Sequence, residues 1–76
     1  MLIEWTPEAR AAVRGFMRDQ DGMRAIGAAV AALADDPEPP GGFHRGDDYH
    51  RLRAGPYRVM YRVRGELITV WRVDRA

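Results

Sequence analysis

The 76-residue sequence contains no cysteine and no lysine, and its only histidines are His44 and His50. Without cysteine there is neither a disulfide framework nor a thiolate metal site, and two imidazoles leave little material for a zinc centre. No apolar run approaches the roughly 18–20 residues that span a bilayer. The N-terminus, Met1-Leu2-Ile3-Glu4-Trp5, lacks the basic region and apolar stretch of a signal peptide. Gly41-Gly42 lacks the lysine and following helix of a phosphate-binding loop. No carboxylate pair has a spacing suited to general acid–base work, and Asp47-Asp48 reads as a turn. These absences leave a soluble cytoplasmic protein of one domain, residues 1–76, with no metal or organic cofactor implied. A chain this short buries only about two thirds of the surface it exposes when unfolded, so its margin of stability is small.

The formal net charge of +1 hides a division along the chain. Residues 1–44 carry four arginines against seven acidic residues, whereas residues 45–76 carry eight arginines against four. A basic half can face phosphates while an acidic half does not.

The pattern predicts β-α-α-β-β-β, an α+β fold with a helical hairpin packed on one face of a small antiparallel sheet. Leu2, Ile3 and Trp5 form a first strand. Thr6 caps a helix, Pro7 suits its first position, and Glu8 complements the helix dipole. Ala9, Ala12, Val13, Phe16 and Met17 then follow at amphipathic spacing. Asp19-Gln20-Asp21-Gly22 is the expected break, and Met23, Ile26, Ala29, Val30 and Leu33 make a second helical stripe. Three prolines and two glycines across residues 35–42 end the helical region. Strands are predicted at residues 49–53, 57–64 and 67–73, with turns at Gly55-Pro56 and Gly65-Glu66.

Alternation decides which side chains share a face. Tyr57, Val59, Tyr61 and Val63 belong under the helices, leaving Arg58, Met60, Arg62 and Arg64 on the open face. With Leu52 inside, Tyr49, Arg51 and Arg53 join that face and His50 points away from it. A solvated face ordinarily mixes charge signs more evenly than this one, so Arg51, Arg53, Arg58 and Arg62 are expected to contact a polyanion.

The stretch Tyr49-His50-Arg51-Leu52-Arg53-Ala54-Gly55-Pro56-Tyr57-Arg58-Val59-Met60-Tyr61-Arg62-Val63 resembles the signature of RelE-type toxins in the RelE/ParE superfamily. That signature runs tyrosine, basic, apolar, arginine, small, glycine, any residue, tyrosine-arginine, two apolar residues and tyrosine. Ile3-Glu4-Trp5-Thr6-Pro7-Glu8-Ala9 is similar to the family's first strand and helix start, and Leu33-Ala34-Asp35-Asp36-Pro37 to the end of its second helix. The resemblance implies the toxin of a type II toxin–antitoxin system, with a cognate antitoxin as partner. An acidic or amphipathic antitoxin segment would cover the arginine face or replace terminal-helix contacts.

Many such toxins are metal-independent endoribonucleases that cut mRNA on the ribosome, with the nucleotide 2′-hydroxyl as the attacking group. The reaction needs a base, stabilisation of a phosphorane and protonation of the leaving oxygen. By this resemblance Arg58 and Arg51 are the catalytic candidates, and Arg53, Arg62, Arg45 and Arg75 the RNA-binding ones. Alternatively Arg58 pairs with a carboxylate such as Glu66, and Arg53 serves the nearby turn. The chain departs from the family pattern in offering arginine where several members have a lysine proton acceptor; arginine, with a pKa above about 12, is a poor base. His44 stands where the family commonly has an apolar residue. Beyond the last strand, Val73-Asp74-Arg75-Ala76 supplies a basic residue without the tyrosine usual in ribosome-dependent members. The nuclease is therefore the first expectation, with ribosome and mRNA as partners. The alternatives are a ParE-like, non-enzymatic inhibitor of DNA gyrase and a catalytically reduced, antitoxin-binding member.

Overall fold

The structure, a computed structural model, describes residues 1–76. In chain order the elements are β1 (Leu2–Trp5), α1 (Pro7–Gly15), α2 (Gln20–Leu33), β2 (Phe43–Arg45), β3 (Tyr49–Ala54), β4 (Tyr57–Arg64) and β5 (Leu67–Arg75). The sheet order is β1-β5-β4-β3-β2. The expected hairpin and three-strand meander are present, with two differences. β1 pairs parallel to β5, so the sheet is mixed rather than wholly antiparallel. A parallel neighbour requires a crossover connection, and the helical hairpin opens it. The second difference is β2, a three-residue edge strand that pairs antiparallel with β3.

The α1 start is as read: the Thr6 hydroxyl accepts from the Ala9 amide at 3.2 Å, and Pro7 opens the helix. α1 ends at Gly15, however, so Met17 leaves the buried stripe and stands 61 % exposed. α2 begins earlier than its apolar stripe suggests, because the Asp19 carboxylate caps the Gly22 amide at 2.9 Å. Gly22 consequently sits in the first turn of α2 rather than in a break. A Cβ there would overlap Asp19 and the Tyr57 ring, so the close approach of helix and sheet depends on glycine.

The core lies between the hairpin and the sheet, built from Ile26, Val30 and Leu33 of α2 against Tyr57, Val59, Tyr61, Ile68, Val70 and Val73. Two tyrosines reach through it to polar partners. The Tyr57 hydroxyl donates to Asp19 Oδ2 at 2.8 Å, and its ring packs 4.8 Å from that of Phe16. This contact pins the interhelical turn to β4. The Gly22 amide, then the Tyr57 hydroxyl, hold the Asp19 carboxyl below its ordinary range, while the bond to Asp19 raises the Tyr57 pKa. The Tyr61 hydroxyl donates to the Pro37 carbonyl at 2.7 Å, tying the proline-rich connector to the same strand. Burial, reinforced by the charges of Glu38 and Asp36, pushes the Tyr61 phenol up to about 12.

At the β3–β4 hairpin Gly55 has φ +59°. A two-residue connection that follows the twist of its strands needs positive φ at its first central position, which glycine supplies without a Cβ penalty. No helix is long and apolar enough to cross a membrane.

Candidate functional site

Directly paired residues on neighbouring strands share a face, so the register of the sheet defines its open surface. Arg51 pairs with Met60, Arg53 with Arg58, Arg58 with Asp74, Met60 with Arg72 and Arg62 with Thr69. At the edge, Phe43 pairs with Arg51 and Arg45 with Tyr49. Arg45, Arg51, Arg53, Arg58, Arg62 and Arg72 therefore stand on one face, opposite the helices. Met60 lies among them yet is only 6 % exposed, the result expected when long arginine stems lie over an apolar neighbour.

Arg53 and Arg58 are like charges in directly opposed positions, an arrangement that disfavours both unless the head groups part. They turn to different partners. Arg53 Nε donates to the Gly55 carbonyl at 3.1 Å, and Arg58 Nε donates to Asp74 Oδ1 at 3.0 Å. The second Asp74 oxygen lies 3.2 Å from Arg72 Nε. One carboxylate thus bridges two guanidinium groups from adjacent strands, and Arg58 has Asp74 rather than Glu66 as its acidic partner. Arg51 takes a different anchor, its guanidinium carbon lying 4.9 Å from the centre of the Phe43 ring. Arg51, Arg53 and Arg58 border a shallow depression of about 310 Å³ with Gly41 and Phe43. Arg62 borders a second one with Asp48, Arg64 and Trp71.

Arg75 is not part of this assembly. It pairs with Tyr57 on the helix side of the sheet, with its guanidinium carbon 5.8 Å from the tyrosine ring centre. The reason is an irregularity in the β4–β5 ladder. Tyr61 pairs with Val70 and Met60 with Arg72, leaving Trp71 without a partner. Val70 and Val73 both point into the core across this bulge, so Asp74 faces outward and Arg75 inward.

Sequence reasoning finds the arginines and Tyr49 but misses the other two aromatic side chains of this face. Phe43, Tyr49 and Trp71 form a row on the open face, with successive ring centres 6.1 and 6.0 Å apart. Tyr49 was legible from alternation. Phe43 belongs to the unexpected edge strand and Trp71 to the bulge, where no simple period applies.

The face is rich in donors and poor in groups that exchange protons near neutrality. His44 and His50 pair with each other across β2 and β3, and His50 pairs with Tyr61, so both imidazoles lie on the helix side. There they meet Glu38, with the three ligand atoms within 4.8 Å of one another, away from the arginines. Tyr57 and Tyr61 are buried under the helices. On the open face Glu4 accepts from the Thr69 hydroxyl at 2.9 Å, Asp48 pairs with Arg64, and Asp74 holds Arg58 and Arg72. The surface suits recognition of an anionic or π-rich partner by charge and stacking.

Solved structures share this architecture. A chromosomal ParDE toxin–antitoxin system from P. aeruginosa includes a chain that superposes with a TM-score of 0.79 at 20 % identity, covering 100 % of this chain and 96 % of that one. YafQ from E. coli strain BL21(DE3) gives a TM-score of 0.74 at 15 % identity, covering 96 % and 90 %. At those identities the likeness is one of fold. No curated protein matches by sequence. The family model for the ParE toxin of the type II toxin–antitoxin system parDE matches residues 3–76, nearly the whole chain. With the helical hairpin, the mixed sheet and the arginine-bearing strands all inside that match, the chain belongs to the ParE toxin family and is the toxin of a type II toxin–antitoxin system.

Proposed function

We propose that this toxin acts by binding rather than by cutting: its arginine and aromatic face engages a macromolecular target, DNA gyrase, without nuclease chemistry of its own. The observation that carries this reading is the Asp74 bridge. For 2′-hydroxyl attack Arg58 would have to meet a developing phosphorane, yet its Nε is committed to Asp74 at 3.0 Å. No imidazole shares its face to take the proton from the attacking hydroxyl, and the arginines there are too basic to do so. A protein interface has no such requirement. Arginine and aromatic anchors, some pre-oriented by neighbouring groups, are the residue types that dominate binding energy at interfaces.

The cognate antitoxin is the natural competitor for this surface. An acidic segment laid over β3, β4 and β5 would neutralise Arg51, Arg58 and Arg62 while its apolar residues meet Phe43, Tyr49 and Trp71. The β2 edge also offers unpaired backbone groups to an added strand.

The test is expression in a bacterium with parallel mapping of plasmid supercoiling and transcript 5′ ends. Altered supercoiling with intact transcripts, relieved by Arg51→Glu, is the expected result. Codon-phased mRNA breaks that vanish with Arg58→Ala would overturn the proposal in favour of a ribosome-dependent endoribonuclease. Neither effect, with antitoxin binding retained, would overturn it in favour of a catalytically reduced binding partner.

A further inference from the structure

We propose that Glu38, His44 and His50 form a three-ligand site for a divalent transition-metal ion of the zinc class, at the seam between the proline-rich connector and the β2–β3 edge. The site is separate from the arginine face and independent of the function proposed for it.

Topology brings the three together. His44 and His50 are direct partners across the β2–β3 ladder, so both rings emerge on the helix side of the sheet. The connector is tied to the sheet by one tyrosine, and two local bonds fix its own turns. Tyr61 donates to the Pro37 carbonyl, the Glu38 amide donates to Asp36 Oδ1 at 3.0 Å, and the Gly42 amide donates to the Pro39 carbonyl at 3.1 Å. Glu38 is thereby aimed at the imidazoles. Its Oε2 lies 3.3 Å from His44 Nε2 and 3.7 Å from His50 Nε2.

The two Glu38 spacings are near what coordination requires, and the three ligand atoms all lie within 4.8 Å of one another. With metal–ligand bonds of about 2.0–2.1 Å, adjacent ligand atoms of a tetrahedral zinc centre lie about 3.3 Å apart. The Glu38–His44 edge already has that length, and the Glu38–His50 edge needs to close by only about 0.4 Å. The two imidazole rings are stacked at 18° with centres 5.4 Å apart, so one must turn for both lone pairs to converge. His44 can do so, because its side chain is 53 % exposed on a short edge strand.

His50 is the least exposed of the three. It is 2 % exposed, fixed between His44 and the Tyr61 ring, which lies 4.9 Å away. Its Nδ1 is buried without any hydrogen-bond partner, so the ring is oriented by packing rather than by the outer-shell acceptor that usually accompanies a ligating imidazole. Its Nε2 is directed instead towards Glu38, beside a cavity of about 370 Å³ bordered by Pro39, Pro40, Gly41 and Phe43. Two imidazole nitrogens and one carboxylate oxygen form a borderline donor set suited to zinc. The fourth position opens on that cavity, to be filled by water or by a donor from a bound protein. An ion there would tie the connector to the sheet edge beside Phe43 and Arg51.

The test is titration of the full-length, chelator-treated protein with zinc alone by calorimetry, and with cobalt(II) to read tetrahedral coordination from its visible bands. One equivalent is expected to bind and, at a 100-fold excess over Kd, to raise Tm by ~10 °C or more. His44→Ala and Glu38→Gln remove exposed ligands without disturbing the core. Each should weaken zinc by more than the roughly 10- to 100-fold caused by losing an outer-shell partner. Absence of binding, or stoichiometric binding that survives both substitutions, would overturn the proposal.

Discussion

Arg58 and Asp74 face each other across β4 and β5, with the guanidinium nitrogen 3.0 Å from a carboxylate whose other oxygen holds Arg72. The pair masks part of the positive charge on the surface most suited to a polyanion. It also orients two arginine side chains that would otherwise sample many rotamers. Removing the carboxylate should therefore separate charge from order.

Asp74→Asn is expected to elute at higher salt from heparin, because two guanidinium groups lose their shared counter-charge. Its Tm should move little, since ion pairs at surfaces contribute about 0–1 kcal/mol. Unchanged heparin retention would mean that Arg58 and Arg72 do not depend on Asp74 for their disposition.

Charge reversal at Arg51 or Arg58 should weaken the cognate antitoxin about tenfold or more, equivalent to about 1.4 kcal/mol per site. Arg75→Glu, on the other side of the sheet, should not weaken it through that face. Isothermal titration of the three variants decides it; equal losses in all three would place the antitoxin elsewhere.

Alanine at two glycines of the same helix should change stability in opposite directions. Nothing lies within 4 Å of a Cβ built at Gly27, so Gly27→Ala should stabilise by about 0.5–1 kcal/mol through helix propensity. Gly22→Ala forces a methyl against Asp19 and Tyr57 and should cost about 1–3 kcal/mol, as overpacking does. Thermal melts should show Tm moving up for one and down for the other, by roughly 4–8 °C per kcal/mol.

The Tyr57–Asp19 hydrogen bond should leave a signature in pH. Asp19 has a lowered carboxyl pKa in the fold, so its stabilisation is present above the ordinary value of 3.8 and is lost as pH falls through the lowered one. Tyr57 has a raised pKa, so its stabilisation is complete below the ordinary value of 10.0 and is lost as pH rises through the raised one. The Tm difference between wild type and Tyr57→Phe should therefore be largest near neutrality and shrink at both extremes. A difference constant from pH 3 to pH 11 would show that packing of the ring, not the hydrogen bond, is what the substitution removes.

Much of this structure was legible in the residues. Period-two alternation in β4 separates Tyr57, Val59 and Tyr61 from Arg58 and Arg62, and helical spacing selects Ile26, Val30 and Leu33 for the core. The parts that escaped share a physical character. β2 is too short to display a period. Asp19 acts through a side-chain cap, which moves the α2 start ahead of its apolar stripe. Glu38 approaches the histidines only because Tyr61 and the connector carry it there, a proximity that no local spacing announces. The outward placement of Asp74 depends on a backbone irregularity that no residue type announces.

That irregularity has a consequence for how such a surface can change. Strict alternation from Val70 would have buried Asp74 beneath the helices and turned Arg75 outward among the other arginines. One supernumerary residue in the ladder reverses this. Flattening the bulge with the sequence unchanged would turn Asp74 under the helices and Arg75 outward, so a one-residue shift of register exchanges an anion for a cation on the open face, whereas deleting Trp71 itself would leave Asp74 outward.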